Sequence, residues 1–219
     1  MVALMKIDLL KPFDQIPYFT LTGIKQILDF EQTDDQYARE LVHRWKKAGH
    51  IITLKKGVYT TRHFFEAHCN DQEFSAAVSA ILMPQSYISL EYILQQSSVL
   101  TEVTYPITAV TLKNTRTIKN IVGTFDYHHI KPTLYIGFSP QIYFNIIIHR
   151  ATMAKALFDF FYFRPLPRAF RTKRLDLSED LRLNLEVFSH ESWNEFHEFV
   201  RTSESEKMGF IMENLQRRV

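Results

Sequence analysis

The chain has 219 residues, 46% hydrophobic and 23% charged, with 26 Lys and Arg against 24 Asp and Glu, a formal net charge of +2. That length suits one large domain or two small ones, and that composition excludes a disordered chain. A single cysteine, Cys69, excludes an intramolecular disulfide and a stapled secreted scaffold, so a cytoplasmic location is expected.

The N-terminus, MVALMKIDLLKPF, does not read as a signal peptide. No apolar run approaches the ~20 residues that span a bilayer, so no membrane partner is expected. Residues 4–12 read as a short first helix, and Pro17 breaks the chain. Thr20 and Thr22 can cap a second helix, Gly23–Leu28. Asp34 or Asp35 opens a third that runs to Ala48, with Gly49 as its stop. Ala38, Leu41, Val42, Trp45 and Ala48 give that helix one apolar stripe. Two β-favouring runs within His50–Thr60 then flank Lys55-Lys56-Gly57, a hairpin turn in which Gly57 takes a positive φ. Three short helices and a hairpin are the order of a winged helix-turn-helix, expected over residues 1–69.

Asn70-Asp71 reads as a boundary. Gln72–Leu82 is helical up to Pro84, and Ser89 caps Leu90–Gln96. Strand-like runs follow at 107–113, 117–122, 124–128, 133–138 and 143–149, separated by Asn114, Gly123, Pro132 and Pro140. Their spacing predicts a mostly antiparallel sheet. Met153–Phe163 is a strongly apolar helix stopped by Pro165 and Pro167, and Arg164–Arg174 is a basic loop. Three helices close the chain, near 178–188, 191–202 and 205–217. The expected class is α+β: a winged helix over 1–69, a mixed α/β domain over 70–175, and an acidic helical tail over 176–219 packed on that second domain. The +2 conceals a division, because residues 1–175 carry 21 basic and 14 acidic groups and residues 176–219 carry 5 and 10.

Between His43 and His63 stand Arg44, Lys46, Lys47, Lys55, Lys56 and Arg62, with no acid. If the apolar stripe faces the core, then Gln36, Arg39, Glu40, His43 and Lys47 face outward, on the side that enters the major groove in a helix-turn-helix. Gln36, Arg39 and His43 would read base edges. Thr33, Arg44, Lys47, Lys55 and Lys56 would take phosphates or the minor groove. The plainer alternative is a solvated amphipathic helix beside an ordinary basic hairpin. Helix length, caps, hairpin and acid-free stretch agree, and together they favour double-stranded DNA. A second basic cluster, Arg164, Arg168, Arg171, Lys173 and Arg174, interleaves with Phe163 and Phe170. It would hold a phosphate backbone or an acidic partner, or merely solubilise a loop. Lys113, Arg116 and Lys119 lie near the first sheet turn and extend either surface.

Enzyme chemistry is poorly served, and no catalytic residue, metal site or cofactor is expected. His63, His68 and Cys69 lack a CxxC pair. His190 and His197 lack HExxH spacing, and Ser86, Ser89 and Ser97 lack a GxSxG context. His128-His129 point to opposite faces of a strand. Asp126 is the one acid between Ile107 and Arg150. Lys155 and Asp159, four apart on the apolar helix, read most simply as a helix-surface ion pair worth a few tenths of a kcal/mol; a buried, fold-linking pair is the other reading.

Three segments, in order, resemble the AbiEi family of antitoxins from type IV toxin–antitoxin and phage-abortive-infection systems. Leu41–Tyr59 is similar to the family's helix, Gly, strand and basic-Gly-Val-Tyr wing. Tyr87–Leu94, with Ile107–Thr111 and Gly123–Tyr127, resembles the start and sheet of its C-terminal domain. Ala151–Asp159 resembles that domain's A-T-P-E-K-A-L-x-D helix, with Met153 and Ala154 where the family usually has Pro and Glu. The resemblance spans roughly residues 10–165 and leaves the acidic tail outside. It implies a winged helix that represses its own operon, through promoter DNA with inverted repeats, and a C-terminal domain that neutralises a nucleotidyltransferase-like toxin without a stable complex. A regulator with a ligand-sensing C-terminal domain, a metal-dependent nuclease and a protein-binding module remain as alternatives.

Overall fold

Residues 7–27, 35–101, 106–165 and 177–216 are described by the structure, a computed structural model. The chain is α+β, and its contacts gather into two units. The first holds the described residues up to Leu82 together with Lys119–Gly123 and Tyr143–Ile146, and the second holds the rest.

In the first unit, the short helix expected over 4–12, of which 4–6 lie outside the described residues, is a 3-10 helix, Asp8–Gln15. Pro12 lies inside it and has no N–H for an α-helical ladder. Its Phe13 ring stacks on Phe19, with centroids 4.3 Å apart. Phe19–Thr20 is a short strand, β1, that the sequence did not announce. Helix α1, Leu21–Ile27, follows directly, and its Gly23 N–H reaches the Thr20 hydroxyl at 3.3 Å. Helix α2 spans Asp35–Lys47. Strands β2 (Ile51–Lys55) and β3 (Val58–Thr61) complete a three-stranded antiparallel sheet in the order β1-β3-β2. Leu10, Phe13, Phe19, Ile24, Ala38, Leu41, Val42, Trp45 and Ile51 form the core between helices and sheet. The Thr61 hydroxyl then accepts the Phe64 N–H at 3.1 Å and starts α3, Arg62–His68. Helix α4, Gln72–Leu82, is buried over most of its circumference.

The second unit is built on a six-stranded sheet in the order β6-β7-β5-β4-β9-β8. Its strands are β4 (Ser86–Ile88), β5 (Ile107–Thr111), β6 (Arg116–Lys119), β7 (Thr124–His129), β8 (Phe138–Tyr143) and β9 (Ile146–Ala151). The sheet is mixed. β4 and β5 run antiparallel, but β5 pairs with β7 in parallel and β4 with β9 in parallel. The reason is that β6 takes the outer edge, so the hairpin return β7 slots in beside β5 in the same direction. Of the run 133–138 only Phe138 is strand, at the start of β8; Pro132–Leu134 forms a 3-10 turn instead. Pro140, expected as a separator, sits inside β8, where the edge position of that strand excuses its missing N–H.

Helix α5, Leu90–Gln96, packs against α6, Met153–Phe163, which carries α8, His190–Ser203, and α9, Glu206–Gln216. The first tail helix, α7, is only Leu177–Asp180. Arg182 turns to φ +50°, and Leu183 bridges to Leu100, which ends it early.

Candidate nucleic-acid interface

Helix α2 is positioned by its two faces and its stop. Ala38, Leu41, Val42 and Trp45 are buried, and Gln36, Arg39, Glu40, His43, Arg44, Lys46 and Lys47 are exposed. Ala48, expected in the stripe, is exposed because the helix has ended at Lys47. Gly49 lies at φ +77°, and the cap is of Schellman type: the His50 N–H donates to the Trp45 carbonyl at 2.9 Å and the Gly49 N–H to the Lys46 carbonyl at 3.1 Å. Arg62 Nε donates to the Gly49 carbonyl at 2.5 Å, tying this corner to α3.

The outer face of α2 carries a shallow groove lined by Asp35, Gln36, Arg39, Glu40, His43 and Arg44. Arg39 lies 3.6 Å from Asp35 and Arg44 3.1 Å from Glu40, both as exposed pairs along the helix. Such pairs are worth about 0–1 kcal/mol and yield readily to a stronger anion. Lys25 reaches across to Asp35. Among the described residues, Lys46, Lys47 and Lys56 have no ion-pair partner.

The hairpin departs from expectation at one lysine. Thr53 pairs with Tyr59 but Lys55 pairs with Val58, so Leu54 is an extra, bulged residue. A bulge re-aims the side chains that follow it. Lys55 is accordingly turned onto the end of α4, where its Nζ donates to the Ile81 carbonyl at 2.6 Å and the Leu82 carbonyl at 3.3 Å. A cation there satisfies orphan carbonyls at the negative end of the helix dipole, and burial lowers its pKa. Lys55 is thus a structural cap rather than an open cation. Lys56, next along, is exposed at the two-residue turn that Gly57 closes at φ +80°. Thr33, Arg168, Arg171, Lys173 and Arg174 lie outside the described residues. Arg164 is exposed, with its guanidinium 4.7 Å from the centre of the Phe160 ring.

A second polar cluster lies in the interior of the other unit. Lys155 and Asp159 are both fully buried, so the helix-surface reading of this pair is overturned. Lys155 Nζ donates to Asp159 Oδ1 at 2.6 Å, while Asp159 Oδ2 accepts from Tyr87 Oη at 2.9 Å and Ser89 Oγ at 2.7 Å. The ammonium also lies 4.6 Å from the centre of the Phe158 ring and 5.3 Å from that of Phe199. Burial lowers the Lys155 pKa and raises that of Asp159, each opposed by the other's charge. Ser89 precedes α5 but does not cap it with its side chain, which is committed to Asp159. The cluster joins β4 and the residue that follows it to α6 in the interior of the second unit.

In the first unit, Tyr143 Oη donates to Asp71 Oδ2 at 2.9 Å and lies 3.3 Å from His68 Nδ1, whose ring stacks on Phe64. Burial, then the Asp71 carboxylate, push the Tyr143 phenol above its ordinary range. Among the described residues, no three His, Cys, Asp or Glu side chains gather to hold a metal ion, and no helix is long and apolar enough to cross a membrane. No family model and no curated protein matches the sequence.

Proposed function

We propose that this chain is a cytoplasmic DNA-binding repressor with an N-terminal winged helix, and that it serves as the antitoxin of an AbiE-like type IV toxin–antitoxin system. The observation that carries the DNA reading is the outer face of α2. Four core residues anchor the helix from below, Gln36, Arg39 and His43 are exposed above, and an acid-free stretch leads from it to Lys56 at a tight turn. In this reading Gln36, Arg39 and His43 meet base edges. Arg44, Lys47 and Lys56 meet phosphates, and Lys55 is left to α4. The antitoxin half rests on the ordered resemblance of the wing, the sheet segments and Ala151–Asp159.

Gel-shift titration with the duplex upstream of its own gene tests the DNA reading. Lys56→Ala should reduce the slope of log K against log salt by about 0.9, the effect of one lost phosphate contact. Gln36→Ala with Arg39→Ala should abolish preference for that duplex over unrelated DNA while leaving residual affinity. Equal affinity of wild type for both duplexes would remove the repressor reading. For the antitoxin, co-expression with a nucleotidyltransferase-like toxin encoded beside it should restore growth; continued arrest rejects that assignment.

A further inference from the structure

The bulge at Leu54 leaves a buried residue whose place in the ladder is lost, and its carbonyl is taken by a residue 66 positions away: Asn120 Nδ2 donates to the Leu54 carbonyl at 3.1 Å. The same side chain builds the turn it sits in, since Asn120 Oδ1 accepts the Val122 N–H at 2.9 Å and the Gly123 N–H at 3.2 Å. The Lys119–Gly123 segment belongs to the first unit, as Leu54 does. Lys55, one residue past the bulge, is fastened to α4. The end of β2 is therefore clasped twice, immediately before Lys56.

Consecutive Cα atoms are about 3.8 Å apart. Lys56 stands two residues from Leu54 and Lys119 one residue from Asn120, so the clasp holds the two lysines in one neighbourhood. Both are exposed and neither has an ion-pair partner among the described residues. Two unpaired cations on a fixed frame suit a polyanion with regularly spaced charges. We infer that Lys119 and Lys56 together contact the phosphate backbone of duplex DNA, with Asn120 as the positioning residue that seats the Lys119 turn against β2. This inference rests on the DNA reading of α2 and the hairpin, and it adds a segment far away in the sequence to that surface.

Fluorescence anisotropy of the full chain on two labelled duplexes, one upstream of its own gene and one unrelated, across a salt series tests it. Lys56→Ala and Lys119→Ala should each lower the salt slope by about 0.9, and the double variant by about 1.8, equally on both duplexes. Asn120→Ala retains the charge of Lys119 but should lower the slope as Lys119→Ala does. Lys119→Ala, at an exposed position, should melt at the wild-type temperature, so its effect reads contact rather than folding. If wild type binds and Lys56→Ala lowers the slope while Lys119→Ala leaves slope and affinity unchanged, the inference is wrong and the reading of α2 stands. If wild type binds neither duplex, both fall.

Discussion

Three polar partners converge on Asp159 in the second unit, and its environment sets what its loss should do. Its two oxygens receive Lys155, Tyr87 and Ser89 with no solvent to substitute for them. Asp159→Ala strands a buried ammonium, and breaking such a pair costs about 3–5 kcal/mol. Lys155→Met combined with Asp159→Leu removes both charges and should be less destabilising than either single change, read as the midpoint of urea unfolding. A sum of the single effects would mean that the pair is not coupled. The alkaline limb has its own sign. Burial raises the phenols of Tyr87 and Tyr143, with added contributions from Asp159 and Asp71. The folded chain then keeps protons that the unfolded chain loses above about pH 10. Stability is intact below that pH and falls as pH rises past it, and Tyr143→Phe should flatten the fall in thermal melts recorded from pH 9 to 11. The i, i+4 spacing of Lys155 and Asp159 is legible in the sequence, but its simplest reading puts the pair on the surface, and the structure buries it. The signal for burial is present all the same, since a helix apolar all round, as Met153–Phe163 is, belongs in a core together with whatever ions it carries.

At the scale of elements, left-handed glycines separate backbone cost from packing cost. Gly57 sits at φ +80° with open space where an added methyl would stand, so Gly57→Ala bears only the backbone penalty, about 1–2 kcal/mol. Gly137 sits at φ +79°, and a Cβ there would run into the Phe199 ring and meet Lys155 Cγ at 3.0 Å. Gly137→Ala should therefore lower the melting temperature clearly more than Gly57→Ala; equal shifts would show that Phe199 moves aside freely. Elements stated by local chemistry are legible: the Thr20 cap, the stripe of α2, the Gly49 stop and the Gly57 turn. What local pattern does not encode is which strand lies beside which. The order β6-β7-β5 arises because the chain skips a place in the sheet before turning back, and the spacing of turn residues is the same either way. The bulge at Leu54 is hidden for a related reason, because its satisfaction comes from Asn120, far away in sequence.

At the scale of the whole molecule, the net charge of +2 is the difference between a basic body and an acidic tail, and the two have separable effects on binding a polyanion. Counterion release counts only phosphates in contact, so it fixes the salt slope locally. The field of distant charges acts through solution and fades beyond about 8–10 Å at physiological ionic strength, so it alters encounter at low salt only. Glu186, Glu204 and Glu213 are exposed in the tail, and changing all three to Gln moves the formal charge from +2 to +5. If DNA is held at α2, the hairpin and the Lys119 turn, away from the tail, this variant should bind faster and more tightly below about 0.1 M salt, converge on wild type near 0.2 M, and share the wild-type slope above that concentration. The contrast with Lys56→Ala, which shifts the slope at every salt concentration, makes the two effects distinguishable in one titration series. A slope steeper by about 0.9 or more that persists above about 0.2 M salt in the Gln variant would instead mean that the tail lies against the phosphates and that its carboxylates repel them at contact distance.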